Sequence, residues 1–159
     1  MIVYTDADYA RFISDWKSTS GYCMFLGGNL ATWRNKKQNV IARSSAEAKF
    51  QAMAQGMCEL LWLRSILNDL KMACEEPIIL YCDNKSAINI VHNPIQHDRT
   101  KHIEIDQHFI KEKLESDLIT TSYIPSGLYL VDFFAKGFPI ERFHDLTCKL
   151  GMIDIHSPA

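Results

Sequence analysis

Four acidic residues stand where side chains could cooperate in chemistry: Asp6, Glu47, Asp83 and Asp132. Asp6 closes the β-prone run Ile2-Val3-Tyr4-Thr5, and Asp83 follows the continuous apolar run Ile78-Ile79-Leu80-Tyr81-Cys82. If these two strands lie side by side and parallel, both carboxylates emerge at the same edge of the sheet, where open α/β sheets place their ligands. Glu47 falls in the first turn of a long predicted helix, and Asp132 in a short late one. Four carboxylates gathered in one place repel one another. Divalent cations remove that repulsion, and Mg²⁺ prefers oxygen ligands. The chemistry such a cluster offers is that of bound metal ions.

Each acid also has a plain structural reading. Ser44 and Glu47 fit a helix capping box, in which Glu47 satisfies a backbone N–H. Asp83 suits the N-cap of the helix after it. Asp6 suits a strand-end turn, and Asp132 an exposed helix charge. Spacing alone does not choose between the two readings.

The elements that must position these acids follow from periodicity and breakers. The first strand is expected to end at Thr5-Asp6, followed by a polar loop over 8–19. A second strand over 21–26, the turn Gly27-Gly28-Asn29 and a third strand from Leu30 to Trp33 make a hairpin. Ser44-Ser45-Ala46-Glu47 opens the long helix, in which Phe50, Met53, Ala54, Met57, Leu60, Leu61, Ile66, Leu67 and Leu70 recur at helical spacing. That stripe reads as a core face. Gly56 within it implies close packing against a neighbour. After the break at Glu75-Glu76-Pro77 come the 78–82 strand, a helix over 85–91, a helix over about 101–114 and a strand over 118–124. A short helix over 128–136 follows, with a helical turn or two around 143–150. The order β-β-β-α-β-α-α-β-α predicts a mixed sheet with helices on its faces. One domain over 1–137 and a C-terminal tail over 138–159 account for the 159 residues.

Composition narrows the class. Hydrophobic residues make up 47% of the chain, enough for a real core without staples. The five cysteines include no C-x-x-C pair, which argues against a disulfide framework or a zinc site. They read as reduced, mostly buried thiols of an intracellular protein. No secretory signal opens the chain, and its longest apolar run is too short to span a bilayer. Net charge is −2, but Arg34, Lys36, Lys37, Arg43 and Lys49 crowd one stretch against Glu47 alone. Such a stripe attracts phosphate, or is simply a solvated basic loop. His97, His102 and His108 suggest a metal only superficially, because no further ligands complete a tetrahedral set; packing or phosphate contact suits them better.

Six stretches together carry a resemblance. They are Tyr4-Thr5-Asp6-Ala7-Asp8-Tyr9, Ser18-Thr19-Ser20-Gly21-Tyr22-Cys23, Arg43-Ser44-Ser45-Ala46-Glu47-Ala48, Leu80-Tyr81-Cys82-Asp83-Asn84-Lys85-Ser86-Ala87, Arg99-Thr100-Lys101-His102-Ile103-Glu104-Ile105-Asp106 and Val131-Asp132-Phe133-Phe134-Ala135-Lys136. In this order they resemble the ribonuclease H domain of copia-type retrotransposon Pol polyproteins. The resemblance implies an α/β ribonuclease H-like fold, a mixed five-stranded sheet flanked by helices. It implies that Asp6, Glu47, Asp83 and Asp132 are the catalytic acids and hold two divalent ions, Mg²⁺ or Mn²⁺, that clamp one scissile phosphate. The implied activity is hydrolysis of the RNA strand of RNA–DNA hybrids during reverse transcription, leaving a 5′-phosphate and a 3′-hydroxyl. The alternative from another class is an inactive, nucleic-acid-binding module derived from a retroelement.

Departures from the family pattern are Arg11 for Gly, Lys49 for Glu or Asp, Tyr129 for Gln, Val131 for Ala and Ala135 for Thr. Lys49 puts a positive charge two residues from Glu47, which would weaken a metal site. The loop His common before the last Asp in cellular and retroviral members is missing, since no His lies between Phe109 and Asp132. Selectivity for RNA requires reading the 2′-hydroxyl. Ser44, Ser45 and Asn84 are the candidates, with capping and turn formation as their plain reading. Lys36, Lys37 and Arg43 are candidates for backbone phosphate. The implied partners are the hybrid and the reverse transcriptase portion of the polyprotein. The isolated domain is expected to be a monomer that does not engage a membrane, in a cytoplasmic virus-like particle or the nucleus.

Overall fold

The computed structural model describes residues 1–10, 15–72, 77–92 and 101–125, with Glu141, His144, Cys148 and Gly151 beyond them. The strands are β1 (Ile2–Asp8), β2 (Thr19–Leu26), β3 (Asn29–Lys37), β4 (Ile78–Cys82) and β5 (Ile119–Tyr123). The helices are α1 (Ser45–Asp69), α2 (Lys85–His92) and α3 (Lys101–Glu115). They build one five-stranded sheet of order β3-β2-β1-β4-β5. β1 is antiparallel to β2, as β2 is to β3. β4 is parallel to both β1 and β5. This is the mixed sheet that the element order predicts. The expected helices over 128–136 and 143–150 fall outside the described residues, apart from His144 and Cys148, and so does the boundary at 137/138.

The hairpin forms where Gly27 and Gly28 take φ of 57° and 83°. Positive φ at both central residues matches the right-handed twist of the flanking strands, and glycine adopts it without a Cβ clash. Three strands run at least two residues beyond expectation, while β5 is one residue shorter at each end than the expected 118–124. β1 runs two residues past Asp6, because Asp6, Ala7 and Asp8 pair with Gly21, Ser20 and Thr19. β2 accordingly starts at Thr19. β3 extends to Lys37, so the basic stretch is strand rather than loop; its Arg34 to Lys37 pair with Tyr22 to Thr19.

The long helix packs across β1 and β2. Phe50, Met53, Met57 and Leu60 are fully buried beside Val3, Met24, Leu80, Ile110 and Ile119. Leu70, expected in that stripe, is instead exposed at the helix end. Gly56 explains the fit of α1 on the sheet. A Cβ there would lie 2.7 Å from Thr5 Cγ2, closer than such atoms approach. The close-packing reading of Gly56 therefore holds. On the other face of β1, the Tyr4 ring stacks on Tyr81 at 5.0 Å and meets Phe25 edge-on at 5.7 Å. Of the cysteines, Cys23 and Cys82 are buried, but Cys58 and Cys148 are exposed, against the expectation of mostly buried thiols. Cys74 lies outside the described residues.

Candidate active site

β1 and β4 run parallel with Tyr4 opposite Tyr81. Two residues further along each strand direction stand Asp6 and Asp83, so the parallel register itself brings the two acids level at the carboxyl edge. Asp6 is wholly buried, and the Asp83 side chain is 4% exposed. Two buried carboxylates this close need a counter-charge. Lys49 of α1 supplies it. Its Nζ lies 2.9 Å from Asp6 Oδ1 and donates a short hydrogen bond to Asp83 Oδ1. Burial works to pull the Lys49 ammonium down. The charge of Asp6, hydrogen bonds to Asp83 and Asp6, and the charge of Asp83 outweigh it and hold the group above the usual lysine range. Lys49 therefore carries its charge throughout the neutral range.

Glu47 does not share this position. At about 100° per residue, side chains two apart on a helix point roughly 200° from each other. Lys49 and Gly56, seven apart, share the face that lies on the sheet, which turns Glu47 away from Asp6 and Asp83. Its Oε2 accepts a hydrogen bond from the Arg43 N–H at 2.8 Å, while its own N–H donates to Ser44 Oγ at 3.1 Å. This is the capping reading of Ser44 and Glu47, with the return bond made to Arg43, one residue before the cap. Glu47 lines a different feature, a groove of about 450 Å³ with Arg43, Gln51, Ile41, Ile105 and Asp106.

The structure thus brings together two of the four expected acids and places a lysine between them. Asp132 lies outside the described residues. The described residues, as arranged, do not fit a divalent ion. The point shared by the Asp6 and Asp83 carboxylates is taken by an ammonium, and no group of three or more His, Cys, Asp or Glu among the described residues is placed to hold a metal. Lys49 stands where the family resemblance expects an acid. Spacing did not single it out: Lys49 lies four residues before Met53, but Glu47 lies three before Phe50 and seven before Ala54, so both flank the core stripe.

The nucleic-acid candidates divide in the same way. Asn84 Oδ1 accepts from the Ala87 N–H at 3.0 Å, making Asn84 the N-cap of α2 in place of Asp83. Ser44 is the N-cap of α1, and Ser45 is exposed in the first turn. Lys36 and Arg43 are exposed. Lys37 is held 2.6 Å from Asp15 and Arg34 3.0 Å from Glu59, so part of the basic stripe is neutralised internally. His108 is exposed on α3; His97 and the side chain of His102 lie outside what is described.

Comparison with known proteins agrees with this fold. No family model matches the chain. It is 35% identical over 152 residues to a retrovirus-related Pol polyprotein from transposon RE2 of Arabidopsis thaliana, covering 96% of this chain and 10% of the relative. It is 33% identical over 154 residues to that from transposon TNT 1-94 of Nicotiana tabacum, covering 97% and 11%. The chain spans about a tenth of the length of the curated relatives it matches. Among solved structures, LC11-RNase H1, isolated from compost, superposes with a TM-score of 0.57 at 15% identity over 79% of this chain and 84% of its own. The N-terminal RNase H domain of rv2228c from Mycobacterium tuberculosis gives 0.57 at 10% identity over 94% and 96%. LC11-RNase H1 has also been solved in complex with an RNA/DNA hybrid. The chain is a homologue of copia-type retrotransposon Pol polyproteins, and it has the ribonuclease H fold.

Proposed function

We propose that this chain is a retroelement ribonuclease H domain that engages RNA–DNA hybrids within a Pol polyprotein, and that in its present sequence it binds the hybrid without hydrolysing it. The observation that carries this reading is the Lys49 ammonium lodged between Asp6 and Asp83. Hybrid as the ligand is favoured by the fold, by the Pol polyprotein relatives and by the solved hybrid complex of LC11-RNase H1. Lys36 on β3 and Arg43 just before α1, both exposed, supply charge for backbone phosphate, a contact that weakens as salt rises. Ser45 remains available to a 2′-hydroxyl, whereas the Ser44 hydroxyl and the Asn84 carboxamide oxygen already serve as caps.

A second reading has its own support, because Asp6 of β1 and Asp83, just after β4, are both retained at the same level of neighbouring strands. In it, Asp6 and Asp83, with Glu47 and Asp132, would hold Mg²⁺ or Mn²⁺ once Lys49 gave way, and the ions would supply the Lewis acidity for cutting the RNA strand. A cleavage assay on a labelled hybrid in Mg²⁺ and in Mn²⁺, beside a binding measurement on the same substrate, separates the two. Binding without cleavage supports the first reading. RNA-strand cleavage by the unaltered protein, lost in EDTA and in Asp83→Asn, overturns it in favour of the second. Absence of hybrid binding by the folded protein sinks both.

A further inference from the structure

We propose that Lys49 is a tethered counter-ion standing in for a divalent cation between Asp6 and Asp83, so that this edge of the sheet is held together without metal. The inference deepens the reading above and rests on the same contact, but metal binding and thermal stability report it whether or not hybrid is bound or cut.

Three observations lead to it. The parallel register of β1 and β4 forces Asp6 and Asp83 to the same level, whatever neutralises them. Both side chains are almost wholly out of water, so solvent does little to screen their repulsion. The Lys49 side chain is itself only 13% exposed and touches one oxygen of each. An ammonium is a compact cation with three donors, and here at least two of them are directed at carboxylates that a hard divalent ion would otherwise ligate. The lysine is also delivered by a rigid element. The residue seven positions on, Gly56, seats α1 against Thr5, which sets the height and rotation at which Lys49 arrives. A divalent ion and the ammonium cannot occupy the same point. An ion binding there must expel a buried lysine that the fold holds in place, and the chain's own covalent tether gives that lysine a high effective concentration.

The test measures Mn²⁺ binding by electron paramagnetic resonance and thermal unfolding in EDTA, in Mg²⁺ and in KCl of matched ionic strength. The unaltered protein, Lys49→Met and Asp83→Asn are compared. The unaltered protein should unfold at the same temperature in Mg²⁺ as in matched KCl, and should bind Mn²⁺ no better than Asp83→Asn. Lys49→Met should lose stability in EDTA, regain part of it in millimolar Mg²⁺, and bind Mn²⁺ at least tenfold more tightly than the unaltered protein. Equal Mn²⁺ affinity in the unaltered protein and Lys49→Met would overturn the proposal and leave Lys49 an ordinary buried ion pair. If Lys49→Met folds only with Mg²⁺ present, the proposal stands. If it folds in neither condition, the first comparison decides: Mn²⁺ binding by the unaltered protein that disappears in Asp83→Asn refutes the stand-in, and its absence upholds it.

Discussion

The first turns of α1 carry two charged residues, Glu47 and Lys49, only two positions apart, with opposite fates. Lys49 turns to the sheet and is buried against two carboxylates; Glu47 turns away and caps its own helix while lining an open groove. Composition would give both the same prospects, since each is a charged side chain near a helix N-terminus. The difference is one of phase. A helix seated on a sheet presents a stripe roughly 100° wide to the core, and two residues are enough to cross it. The lysine sits where the fold demands compensation of charge, and the glutamate where it demands a backbone acceptor.

The largest expected effect sharpens that contrast. Removing the lysine in Lys49→Met takes its charge from two buried carboxylates and should cost about 3–5 kcal/mol in EDTA by denaturant unfolding, the range for breaking a buried ion pair from one side. Glu47→Gln keeps a side-chain acceptor for the Arg43 N–H and should cost less than about 1 kcal/mol, the low end for capping interactions. Comparable losses in the two variants would erase the distinction drawn here. Next comes the seating of the helix. Gly56→Ala forces a methyl against Thr5 and should cost about 1–3 kcal/mol in the same experiment, typical of overpacking; a neutral result would show that α1 can shift on the sheet and that the phase of Lys49 is not rigidly held. Ser44→Ala removes the cap hydroxyl and should cost about 1 kcal/mol, read as a lower midpoint with an unchanged slope.

The smallest effects concern the surface. Lys36→Ala should weaken hybrid binding and reduce its salt dependence by about one counter-ion, while leaving stability unchanged; an unaltered salt slope would remove Lys36 from the binding face. Thiol labelling distinguishes core from surface without mutation. Burial pushes the Cys23 thiol up to about 12, and burial together with the charges of Asp83 and Asp6 pushes Cys82 up to about 12. Both should stay unlabelled at pH 8 until the protein unfolds, while the exposed Cys58 and Cys148 react in the native state. Native labelling of Cys82 would mean that the β4 edge opens readily.

Much of this molecule is local and therefore legible in the chain. The β4 run is uninterrupted and apolar, and its bounds match the structure to the residue. The Gly-Gly turn carries its own backbone requirement. The capping box of α1 needs no partner beyond the helix itself, which is why Ser44 and Glu47 were readable as caps. Strand lengths were less legible, because Asp6 to Asp8 and Arg34 to Lys37 are strand only through pairing with β2. Polar residues extend a sheet when a neighbouring backbone offers hydrogen bonds, and that offer comes from elsewhere in the sequence.

The amino-acid sequence by itself determined the alternation of elements, the two aspartates carried by or just after neighbouring strands, and the kinship to retroelement Pol polyproteins. The tertiary structure alone decided which side chain of α1 meets those aspartates. That choice depends on how far the helix is rotated and raised above the sheet, which the contact of Gly56 with Thr5 sets from two turns away. No spacing within 44–49 encodes it, because a helix carries its own periodicity but its phase relative to a partner is fixed only by packing.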